Sequence, residues 1–352
     1  MVVQLLGWHM RYIFLISFLV VSSCSQHFHT FAQSAVSPRG SGLSEVEVTF
    51  LGTSSFLVST AHVQVLIDGY VSRERHNLFG RIEPNVARVA GVLNDIGVTT
   101  PNVAFSNGAW ATLDSSRRLD AIIPLHGHYD HAMDVGVVAG LTGAPVFGDE
   151  FVHRIVEMSV ARFDWLSGRM RQDQFVPIAM SHDGASTLVF GDMTITLFEM
   201  PHSENFLSRS LDAFGDAEGW AFPARISNMK QGVSLAAHIA VGDRAFLIVP
   251  TAGALDGQVA RHGVVAETVF LGIGGLGWQN NEVIEDFVSE TITASRARRV
   301  FPIHWDDHQV PLREGLNIPF YERLDPVLDA LTGLEDVDVR PIQIMQRFDP
   351  FQ

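Results

Sequence analysis

The sequence predicts one α/β domain of the α+β kind over residues 45–352. Three observations carry that expectation. Short β-prone runs bounded by Gly, Asp and Pro recur along the chain, beginning with three in succession, Val46–Gly52, Ser55–Ser59 and Val63–Gly69. Segments with apolar residues at helical spacing follow, at Val86–Ile96, Ala132–Leu141, Glu150–Leu166 and Asn280–Ala297. Hydrophobic residues make up 47% of the 352, enough apolar surface to offset the entropy of ordering, so a large core is expected.

In chain order, the first three runs read as antiparallel strands joined by short turns, the third ending in Asp68-Gly69. Residues 70–118 are mixed, with Phe79 and Trp110 as wall residues of a cleft or as core. Leu119–Leu125 reads as a strand ending in an apolar run, and Ala132–Leu141 as the helix after it. Ala144–Gly148 is a short strand. The Glu150–Leu166 helix puts Val152, Ile155, Val156 and Val160 on one face and leaves His153 at the surface. Ser186–Phe190 and Met193–Met200 pair through a Gly191-Asp192 turn. The long aperiodic segment Ser203–Gly232 carries Phe206, Phe214, Trp220, Phe222 and Met229. It is predicted to be a lid that touches an apolar or acyl-bearing substrate. Ser234–Ala240 and Arg244–Val249 form a hairpin. A strand at Thr268–Ile273 leads into Gly274-Gly275-Leu276-Gly277, read as close backbone packing rather than a phosphate cradle. Asn281 is the expected cap of the next helix. Val300–Ile303 is a strand, Asp325–Leu331 a helix with Pro326 in its first turn, and Val337–Ile344 a last strand.

Composition narrows the function. The net charge of −15 disfavours a nucleic-acid binder, which needs clustered Lys and Arg. The single cysteine, Cys24, rules out an internal disulfide. Residues 1–24 read as an export signal, with Arg11 before the apolar run Tyr12–Val21, and with Met1 or Met10 as the start. His9 and Arg11 interrupt any longer span. Val21-Ser22-Ser23-Cys24 resembles a bacterial lipobox, which makes Cys24 the expected lipidation site. Plain secretion with an inert thiol is the alternative. The expected product is an exported envelope protein, lipid-anchored on the periplasmic side or secreted. Residues 25–44 are then a flexible tether and 45–352 the domain.

The chemistry concentrates in His126-Gly127-His128-Tyr129-Asp130-His131. Buried imidazoles and carboxylates this close need a compensating partner. In an extended segment residues two apart share a side, so His126 and His128 can converge on one point. Gly127 allows a tight turn between them. Asp130 and His131, at the start of the next helix, can face a second point. Imidazole with carboxylate suits zinc, and imidazole also suits iron, copper or nickel.

This string resembles the HxHxDH signature of the metallo-β-lactamase superfamily. His202 and His304, each directly after a predicted strand, stand in the family's order, and the resemblance covers residues 45–310. It implies a four-layer αββα sandwich with a metal cleft at one edge between two sheets. His126, His128 and His202 would hold one metal, and Asp130, His131 and His304 a second. The implied activity is a metal-dependent hydrolase that turns a metal-bound hydroxide on an ester, lactone, amide or phosphodiester of a small molecule, with Asp130 also orienting or deprotonating the water. Zinc, as one or two ions, is the implied cofactor, with iron or manganese as alternatives. Asp68-Gly69 resembles the family's turn near the metals, so Asp68 is expected to orient a histidine, or else to be a plain turn residue. The sequence departs at Thr251, where most two-metal members place a bridging aspartate. That weakens the expected second site, and Asp256 is the nearest alternative. Asp306 or Asp307 is expected to hold His304 in orientation. Pro302-Ile303-His304-Trp305-Asp306 resembles the lactonase-like branch, which contains ascorbate-phosphate lactonases. A mononuclear-iron oxidoreductase on the same fold and a non-catalytic envelope metal- or ligand-binding protein are the other readings.

Overall fold

Three β-rich runs open the domain as an antiparallel meander, β1 (Glu47–Phe50), β2 (Phe56–Ser59) and β3 (Gln64–Ile67). Parallel strands β4 (Ala121–Ile123), β5 (Val146–Gly148) and β6 (Phe175–Pro177) extend this sheet from β3. The second sheet has the same plan. Antiparallel β7 (Ala185–Phe190), β8 (Met193–Glu199), β9 (Leu235–Val241) and β10 (Arg244–Val249) are followed by parallel β11 (Thr268–Gly272), β12 (Arg299–Ile303) and β13 (Asp338–Val339). A last strand, β14 (Arg347–Phe348), returns to β1. The computed structural model describes residues 26–35, 45–76, 80–98, 104–106, 109–111, 118–171, 173–203, 218–253 and 257–352.

The two-residue period of the strands decides the layers. Phe56, Val58, Val65, Ile67, Ala121 and Ile123 of the first sheet share one core with Ile195, Leu197, Ile239, Phe246 and Phe270 of the second. The alternate residues Leu57, Leu66 and Ile122 point outward into a second core, and Phe198, Leu247, Val249, Val269 and Leu271 into a third. Strands buried on both faces need helices over them. α1 (Gln26–Gln33) lies outside the second sheet. α2 (Val86–Asp95), α3 (Tyr129–Ala132), α4 (Val135–Thr142), α5 (Glu150–Arg162) and α6 (Asp164–Ser167) cover the first. α7 (Gln258–Arg261), α8 (Asn281–Ser295) and α9 (Asp325–Thr332) join α1. The result is the expected four-layer αββα sandwich.

Several expectations need correction. The tether predicted over 25–44 differs at residues 26–33, which form α1. Phe28 is fully buried there, 5.3 Å from the Trp305 ring, and the Phe28 and His27 N–H groups donate to Asp325. The helix expected over Ala132–Leu141 is two pieces, so Asp130 and His131 lie inside the short α3. Asn280, not Asn281, caps α8, accepting from Val283 N–H. The strand expected over Val337–Ile344 is only β13 plus a single bridge from Ile344 to Phe50. In the predicted lid, Trp220, Phe222 and Met229 are buried core residues beside the first sheet, because their apolar area is worth more inside than over a cleft. Phe206, Phe214, Phe79, Asp256 and Cys24 lie outside the described residues, as does the side chain of Trp110. No described helix is long and apolar enough to cross a membrane.

Candidate metal centre

The cluster residues follow the C-terminal ends of three strands. The His126–His131 turn follows β4, His202 follows β8 and His304 follows β12. Backbone bonds fasten these loops together at one edge of the sandwich. Leu235 N–H donates to Leu125 O at 2.8 Å, Gly127 N–H to Gln231 O at 2.7 Å, and His304 N–H to Thr53 O at 2.8 Å. The need for Gly127 is a close approach rather than a turn. A Cβ there would stand 2.3 Å from Lys230 O, so the 230–231 backbone braces the histidine turn. Gly274 is equally constrained, since a Cβ would meet His304 O at 2.3 Å, which bears out close packing as the role of that glycine-rich loop.

The predicted side chains meet in two groups, His126 with His128 and His202, and Asp130 with His131 and His304. Within each group the donor atoms lie within 4.8 Å of one another. The groups abut, with the His126 and His131 rings 3.7 Å apart. Across the second, His131 Nε2 is 3.2 Å from His304 Nε2, and Asp130 Oδ2 is 3.5 Å from His304 Nε2.

Asp68 stands against His131. His131 Nδ1–H donates to its Oδ2 at 2.8 Å, the Ser54 hydroxyl to the same oxygen at 2.6 Å, and Leu125 N–H to Oδ1 at 2.7 Å. With Nδ1 engaged, the lone pair of His131 sits on Nε2, facing the second group. His202 is fixed in the same sense, its Nδ1 3.0 Å from Ser203 O. Thr251 is buried against this loop and its Oγ1 accepts from Ser203 N–H at 3.1 Å. It therefore braces His202 rather than replacing a bridging acid. Asp306 is placed differently from expectation. It pairs with the buried Arg73 and accepts from Thr53 N–H at 3.0 Å, and the Thr53 carbonyl in turn accepts from His304 N–H. A buried arginine is the stronger claimant for a buried carboxylate.

The electrostatics favour neutral imidazoles at His126 and His202 and an ionised acid at Asp130. Burial, then the His131, His202 and His128 neighbours, push His126 well below its usual range. Burial, then His128, bring His202 down to about 3. Burial would raise Asp130, but His131, His304 and His308 beside it hold it well below the usual carboxylate range. Burial would lower His304, but the Asp130 carboxylate raises it overall. Neutral imidazoles offer lone pairs, which is what a metal requires. Both ring nitrogens of His126 are buried with no hydrogen-bond partner, a cost of about 1–3 kcal/mol each, and a cation held by one of them would remove that nitrogen's share. The donor set therefore fits a metal.

Ser54, Arg73 and His308 were not read from the sequence. His308 lies four residues after His304 and directly after Asp307. Ser54 and Arg73 carry no local signal, since their partners are 14 and 233 residues away.

No family model matches the sequence, and no curated protein matches it significantly. Solved structures do. Igni18, a metallo hydrolase of the hyperthermophilic archaeon Ignicoccus hospitalis, is 17% identical over 86% of this chain and 98% of its own, with a TM-score of 0.48. The metallo-beta-lactamase fold protein YhfI of Bacillus subtilis is 13% identical over 87% and 100%, at 0.46. The short form of human tRNase Z is 11% identical over 86% and 99%, at 0.47. At this distance the likeness bears on neither substrate nor metal.

Proposed function

We propose that this chain is a metal-dependent hydrolase of a small-molecule ester, lactone or phosphodiester, with zinc as its metal. The observation that carries the reading is the abutment of a three-imidazole group with a group of two imidazoles and a carboxylate. His126, His128 and His202 would hold one ion, and Asp130, His131 and His304 another. Metal held there supplies a water of lowered pKa and polarises the substrate oxygen. Asp68 and Ser54 set the His131 ring, and Ser203 and Thr251 the His202 loop. Asp130, kept ionised, is the acceptor for a proton from an attacking water. The Pro302–Asp306 string favours the lactonase-like branch.

The loop that packs on His304, Gly274–Gly277, leads to Trp278, which with Phe320 and Tyr321 is exposed, by 54%, 71% and 47%. Trp278 Nε1–H donates to Tyr321 O at 3.0 Å. This rim suits a substrate with an apolar or aromatic group. Export, with Cys24 lipidated, completes the proposal on sequence grounds.

Protein stripped of metal and titrated with zinc is expected to gain hydrolysis of a chromogenic ester, lactone or phosphodiester in step with bound ions. His126→Ala should remove most of that turnover, and Trp278→Ala should raise KM for aryl substrates while sparing those with small groups. No zinc uptake at all would sink the reading. Asp130, His131 and His304 are also a two-histidine, one-carboxylate set, which favours a mononuclear-iron oxidoreductase as the second reading. Oxygen consumption by the iron-loaded protein alone would select it.

A further inference from the structure

We propose that Arg73 is a positioning residue of the metal centre, acting through Asp306 and the Thr53 backbone to hold His304 in the second group; this rests on the metal-centre reading above. Three segments distant in sequence meet there, each in a backbone conformation that side chains disfavour. Thr53, Arg73 and His304 have φ of 54°, 48° and 59°, in the left-handed region. Such residues persist only where their surroundings over-determine them. His304 is held by its N–H to Thr53 O at 2.8 Å. Thr53 is held in turn by its N–H to Asp306 Oδ1 at 3.0 Å. Arg73 Nη2 donates to both Asp306 Oδ2 and Asp307 O, so one guanidinium nitrogen ties down the segment that leaves His304. Gly52 completes the joint. A Cβ there would stand 2.0 Å from Arg73 Nη1, so the guanidinium lies directly on the turn that carries Thr53. Ser54, next in that turn, donates to Asp68, which accepts from His131. One turn therefore contacts the supports of both histidines of the second group, and Arg73 clamps it.

Stability alone accounts poorly for this arginine. The Arg73 and Asp306 side chains are both 1% exposed. A buried ion pair is often replaceable by apolar residues of similar volume with no loss of stability. Arg73 also leaves Nε and Nη1 buried with no hydrogen-bond partner, a further cost. What the pair supplies is direction. With Oδ2 engaged by the guanidinium, the Asp306 carboxylate keeps Oδ1 on Thr53 N–H.

The test uses the full-length protein, stripped and reloaded with zinc, with bound ions counted and affinities read by competition with a chromophoric chelator. Wild type should bind two ions, which His126→Ala and His304→Ala assign to their groups. Arg73→Met and Asp306→Asn should each keep the ion of the His126 group and weaken that of the His304 group by about tenfold or more. Cobalt in the weakened site should show an altered visible spectrum. Because the two residues act in series, the double variant should lose no more than the worse single one. It also leaves no buried charge unpaired, so it carries the comparison if either single variant fails to fold. Losses that multiply in the double variant would overturn the proposal, as would equal losses at both ions. So would a lowered denaturation midpoint with wild-type affinities, the mark of a purely structural pair. If wild type takes up one ion, the proposal survives only when His304→Ala and the double variant both weaken it. A single ion lost in His126→Ala and unchanged in the double variant overturns the proposal and leaves the metal reading intact. A chain that takes up none overturns both.

Discussion

Asp68 shows how much one side chain can decide. Its two oxygens take three hydrogen bonds, from His131, Ser54 and Leu125 N–H, and its φ of 55° sits in the left-handed region at the end of β3. That strained position is tolerated because the carboxylate closes the turn and orients a metal-facing histidine together. Asp68→Asn keeps an acceptor for Leu125 but cannot accept from both His131 and Ser54 at the other atom. Zinc affinity of the His131 group is expected to fall about 10–100-fold, while the His126 group holds its ion. Chelator competition at both sites checks this, and an equal loss at both would point to general unfolding instead.

At the scale of elements, α1 is the part whose docking composition did not announce. Phe28, with Phe31 and Ala32 beside it, and the carboxylates of Asp325 and Asp329 fix it to the outer core. An eight-residue helix is unstable alone, so packing decides that it forms. Because its attachment is so local, α1 should detach as a unit. Phe28→Ala is expected to expose residues 26–35 to limited proteolysis with a small loss in global stability. Phe270→Ala, in the core between the sheets, should cost about 3–5 kcal/mol. Equal losses in denaturant unfolding would show that α1 opens only with the whole domain.

The whole molecule carries its own titration signature. Asp134 is fully buried and accepts from Val71 N–H, Ser72 N–H and the Ser72 hydroxyl, tying the segment after β3 to the start of α4. Burial, only partly countered by those bonds, raises it from 3.8 to about 6. The folded state therefore holds this proton more tightly than the unfolded chain does. The stabilising contribution is full below pH ~4 and is lost as pH rises to ~6, to the extent of about 3 kcal/mol. Asp134→Asn preserves all three hydrogen bonds, through its oxygen and its amide, and carries no charge to desolvate. Metal-free wild type should lose stability relative to this variant from pH 4 to 6 and run parallel to it above. Denaturation midpoints across that range measure the difference, and a constant gap would contradict the assignment.

Residue patterns alone marked β1–β5, β7–β12 and the helices α2, α4, α5, α8 and α9, but not β6, β14, α1 or α7, and they singled out His126, His128, Asp130, His131, His202 and His304. The reason is that hydrophobic period and metal-ligand spacing are local patterns, and five histidines with an acid leave few other uses. Only the tertiary structure decided the partners of Asp306, the placing of His308, the burial of Trp220 and Phe222, and the docking of α1. Each depends on which surface the folded chain brings opposite. Arg73, 233 residues before Asp306, claims that carboxylate because two buried opposite charges must find each other, and no spacing in the sequence records that they meet.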